Sequence, residues 1–86
     1  MSESLRAPQS NNRRLLDLGL HRVVVARERL NAARHIGARR HEEQPLREEL
    51  LRALEGYAAA IHASGAPVSS RLRAEINLYQ RLGDAG

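Results

Sequence analysis

Three arginines come first among the residues able to do chemistry. Arg22, Arg29 and Arg40 stand seven and eleven residues apart. Both intervals are near whole numbers of turns in a helix of 3.6 residues per turn, so one helix would carry the three guanidinium groups in a single stripe. The stripe borders apolar residues. An arginine fork with apolar neighbours is partly desolvated, and there a carboxylate or phosphate gains most from charge-assisted hydrogen bonds. The competing use is an ion pair with Glu48, Glu49 or Glu55, which stabilises the fold and binds nothing.

Other chemistry finds little support. His21, His35, His41 and His62 include no pair three or four residues apart, so no helical face offers two metal ligands. No cysteine is present, which removes disulfides and thiolate metal sites. No serine nucleophile motif or phosphate-binding glycine loop occurs, and neither a metal nor a cofactor is expected.

These arginines belong to the stretch from Asn12 to Arg40, which is apolar and cationic at once. It places Leu15, Leu16, Leu18, Leu20, Val23, Val24, Val25, Leu30 and Ile36 among eight arginines and holds no proline. Asn11 or Asn12 can cap a helix here, and the pattern predicts one over 12–39, with Gly37 able to continue, hinge or end it. Leu16, Leu20, Val23 and Leu30 share one face. Gly19, Ala26, Ala33 and Gly37 run beside them, small enough to let another helix approach. Leu18, Val25 and Ile36 fall on a different face, and a helix apolar on two sides is buried on two sides. All seven large residues, Leu16, Leu18, Leu20, Val23, Val25, Leu30 and Ile36, are therefore candidates for an interface.

Two shorter helices are expected to follow. Pro45 suits the first position of a helix over 45–64, with Leu46, Leu50, Ala53, Leu54, Tyr57 and Ile61 at helical spacing and Gly65 and Pro67 as stops. Ser69 or Ser70 caps a third over 70–82, apolar at Leu72, Ile76, Tyr79 and Leu82 and closed by Gly83. Residues 1–10, with Pro8, read as a disordered arm ahead of a single helical domain over 11–86.

The expected fold is thus all-α, one long helix and two shorter ones. With 86 residues, two tyrosines and no other aromatic side chain, the chain is near the lower limit for a self-sufficient core. An intertwined or antiparallel homodimer is the natural remedy. All fourteen basic side chains are arginine. Nine fall in residues 1–40 against three acids, and five in residues 41–86 against seven, so the halves attract each other. No apolar run approaches the roughly 20 residues that span a bilayer, no signal segment is evident, and a cytoplasmic protein is expected.

Part of the chain resembles the small all-helical chorismate mutases, intertwined dimers built around a long first helix. The residues that carry the resemblance are Glu28-Arg29-Leu30, Ala32-Ala33, Ile36-Gly37 and Arg40, then Arg47-Glu48 in the second helix. It implies that Arg29 binds a substrate carboxylate and that Arg40 stands where the family has a lysine contacting the ether oxygen. Arg13 or Arg14 would reach into the partner's pocket, and Glu48 would hold the substrate hydroxyl. A pericyclic rearrangement of a dianion needs only positioning and positive charge. The chain departs from the family in a short loop between Arg40 and Arg47, in Asn12 at the place of the first-helix arginine, and in lacking a Gln or Glu partner for the ether oxygen.

Three functions compete on this evidence. The leading one is a dimeric, protein-binding helical module such as an adaptor, regulator or chaperone-like protein. The second is a chorismate mutase-like enzyme, or a non-catalytic relative binding a small dicarboxylate anion. The third is backbone contact with nucleic acid through the basic helix, using Arg13, Arg14 and Arg39.

Overall fold

The computed structural model describes the backbone of residues 2–85 and the side chains of residues 12–84. It is all-helical: α1 is Ser2–His35, α2 Arg40–Ala63 and α3 Ser70–Ala85. No strand occurs among the described residues. The expected arm over residues 1–10 lies outside the residues whose side chains are described. Over the residues whose side chains are described, 12–35, α1 equals the 24 residues of α2, and this part does not establish one long helix with two shorter ones.

The end of α1 comes four residues before the expected Arg39, and Gly37 explains why. Its φ of 78° lies in the left-handed region that glycine enters without strain. There Gly37 N donates to the Arg34 carbonyl at 3.1 Å and Ala38 N to the Ala33 carbonyl at 2.9 Å. This pair of bonds is the Schellman termination, which satisfies carbonyls the last turn would leave open. α2 ends in the same way, with Gly65 at φ 87°, Gly65 N donating to the His62 carbonyl and Ala66 N to the Ile61 carbonyl.

α2 starts at Arg40, five residues ahead of Pro45, so the proline is inside the helix and not at its first position. The start is fixed by Glu42, whose carboxylate accepts from Arg39 N at 3.1 Å, and acidic Glu42 and Glu43 suit the positive end of the helix dipole. Pro45 leaves the carbonyl of exposed His41 without its helical partner, and water can supply one. α3 starts where Ser69 Oγ accepts from Leu72 N at 3.2 Å. It runs past Gly83, which takes no left-handed conformation and so does not close the helix.

α1 and α2 form an antiparallel hairpin. Asn12, Leu16, Gly19, Val23, Ala26, Leu30 and Ala33 are the buried or half-buried residues of α1. Their alternating steps of four and three mark a coiled-coil seam, answered on α2 by Leu46, Leu50, Ala53 and Tyr57. The opposite charges of the two helices meet in Arg29–Glu49 and Arg34–Glu43 pairs. α3 packs against α2, bringing Leu72, Ile76 and Tyr79 onto the same cluster. α3 meets α1 through an ion pair between Arg27 and Glu75.

The core is thin. Val23, Ala26, Leu30, Leu50, Leu54 and Leu72 are its buried members, and no described polar side chain is buried. Leu15, Leu18, Leu20, Val24, Val25, Ile36 and Leu78 remain exposed, Ile36 to 83%.

Candidate functional site

The arginine stripe does not form as spacing suggested. Arg22 and Arg29 lie on α1, but the break at Gly37 puts Arg40 in the first turn of α2. Arg29 is engaged with Glu49 of α2 at 2.5 Å. Both partners are well exposed, at 54% and 40% of their side-chain surface, where solvent screens the attraction. Arg29→Ala should therefore lower stability by at most about 1 kcal/mol, and a larger loss in urea denaturation would show a desolvated pair that these exposures exclude. Arg22 has no ion-pair partner among the described residues.

The residues singled out by the mutase resemblance lie on the surface of the chain. Arg13, Arg14, Arg29, Arg40 and Glu48 are all exposed. Glu48 accepts from Gln44 one turn earlier, at 3.3 Å. The two concave surfaces described below are lined by other residues. Arg39, named with Arg13 and Arg14 for phosphate contact, precedes α2 and is also exposed.

The candidate interface residues divide. Val23 and Leu30 are 2% and 1% exposed, and Leu16 is half-buried in the same seam. Val23 and Leu30 belong to the core inside one chain and are covered there. Leu18, Leu20, Val25 and Ile36 are exposed, joined by Leu15, Val24 and Leu78.

Two concave surfaces border these exposed residues. The larger, about 840 Å³, is an open cleft between α1 and α3 with α2 as its floor. Its base is apolar, through Val23, Leu54, Tyr57, Ile61 and Leu72, and Leu20 and Leu78 stand at its mouth. Arg27, Glu75 and Arg71 give its rim both signs of charge. The smaller, about 400 Å³, is a shallow groove between α1 and α2, lined by His21, Arg22, Val25, Ala26, Glu49, Arg52 and Ala53. Sequence patterning did not reveal the cleft, because Arg27 and Glu75 are 48 residues apart and only the lie of α3 brings them together.

Among the described residues no cluster of His, Asp or Glu could hold a metal, and no helix is long and apolar enough to cross a membrane. What the geometry defines is a three-helix scaffold with apolar grooves on its outside. No protein-family model, curated protein or solved structure matches the chain.

Proposed function

We propose that this protein is a small helical protein-binding module that works as a homodimer. The observation that carries the reading is the imbalance of its apolar surface: among the described residues six small or aliphatic ones are buried, while seven large ones are exposed. A core this small supports a domain of this size poorly, and exposed apolar residues that flank concave surfaces are a common mark of contact sites. A second copy would fit best at the α1–α3 cleft. Leu20 and Leu78 supply apolar area there, and a rim bearing both signs lets two identical faces meet without like-charge repulsion. A cytoplasmic setting is proposed as part of this reading.

Sedimentation equilibrium at micromolar concentration should give the mass of a dimer. Leu78→Asp should return the mass to that of a monomer with its helix content retained, because Leu78 is exposed within one chain. A wild-type protein that stays monomeric would remove the dimer from the reading. A chorismate mutase-like activity has no geometric support of its own here, and decay of chorismate absorbance with purified protein would be the result that reinstates it.

A further inference from the structure

The exposed apolar residues on the flank of α1 away from α3 are ordered. Leu15, Leu18, Val25 and Ile36, filled in by Arg22, Arg29 and Ala32, form a series whose steps alternate three and four. This is the heptad spacing of a helix seam. The seam occupied by α2 is the same series displaced by one residue. α1 thus carries two adjoining seams, one filled and one open, and the second continues into the shallow groove at Val25, Ala26 and Ala53.

Charge decides what fits the open seam. Arg22, Arg52 and His21 line its groove, while Glu49 is taken up by Arg29; Asp17 and Glu28 are the acids of described α1 flanking the seam, and neither lines the groove. A second copy laid antiparallel here about Val25 would set Arg22 against Arg29 of its twin, and like charges at a helix seam are disfavoured. A helix bearing carboxylates instead gives Arg22 and Arg52 acceptors for their forks, beside apolar Val25. Gly56 adds an independent indication. It lies one turn beyond Arg52, is exposed, and a Cβ placed on it meets nothing within 4 Å. Glycine weakens a helix interior, and the open space beside it is what an incoming helix would use.

We infer that the open seam of α1, with its α2 rim, docks an acidic amphipathic helix of another protein, apolar at heptad spacing with carboxylates alongside. The inference rests on the reading as a protein-binding module but uses a different face from the dimer.

The test is fluorescence anisotropy on the full chain with a labelled synthetic helix of three heptads, leucine on its seam and glutamate flanking it. The same peptide with lysine for glutamate and a DNA duplex serve as rivals. The glutamate peptide should bind at least about tenfold more tightly than the lysine peptide, and more weakly as salt rises. The double variant Arg22→Glu, Arg52→Glu should reverse the preference, and Gly56→Leu should weaken binding about tenfold with unchanged circular dichroism. Equal binding of the two peptides, binding of neither, or preference for the duplex would each overturn the inference. A monomeric protein that still prefers the glutamate peptide would support it while removing the dimer.

Discussion

Leu54→Ala should destabilise the protein by about 2–5 kcal/mol, lowering the urea midpoint by a large fraction of its value. Leu54 is 0% exposed and belongs to the one cluster that links the α1–α2 hairpin to α3. Truncating it loses the transfer energy of the removed carbons and leaves a cavity among Val23, Leu50 and Leu72. Domains of this length have total stabilities of about 4–13 kcal/mol, and six buried residues set this one toward the lower end. Leu30→Asp should go further and abolish the fold, since it would put a carboxylate at an apolar position only 1% exposed. Leu18→Ala is the internal control. Leu18 is 45% exposed, and its truncation should change monomer stability by no more than about 0.5 kcal/mol. Equal losses for Leu18→Ala and Leu54→Ala would show that the hairpin buries the other face of α1.

How far these features could be read from the chain depends on whether the cause was local. Ser69 and Gly65 act on neighbouring backbone, so the start of α3 and the end of α2 were legible. Gly37 can bend, continue or end a helix, and residue type alone does not choose among these. The left-handed φ decides it and carries Arg40 off the stripe. Pro45 misled because a proline is most at home in a first turn, whereas the Glu42 cap set the start five residues earlier. The apolar faces of α1 were only partly separable. By spacing Leu20 shares a face with Val23 and Leu30, yet it is 46% exposed at the mouth of the open cleft between α1 and α3. That opening depends on contacts between distant residues, which periodicity does not encode.

Gly19→Leu should cost about 3 kcal/mol and pry the hairpin apart near its middle. A Cβ on Gly19 would stand 3.1 Å from Tyr57 Cδ1 and 3.4 Å from Tyr57 Cα. The aromatic ring can swing aside for a single methyl group, but α2's own backbone cannot yield to a branched side chain without separating from α1. Gly19→Ala is consequently a near-balance, since the gain of roughly 1 kcal/mol in helix propensity is offset by displacing the ring. Gly56→Ala has the same propensity gain with open space around the new methyl group, and it should stabilise by about 0.5–1 kcal/mol. At roughly 4–8 °C per kcal/mol for a domain of this size, thermal unfolding should rank Gly56→Ala highest, Gly19→Ala near the parent and Gly19→Leu far below. A Gly19→Leu variant melting with the parent would mean that α1 and α2 are not in close contact at this point, and the register that pairs Val23, Ala26 and Leu30 with α2 would have to be redrawn.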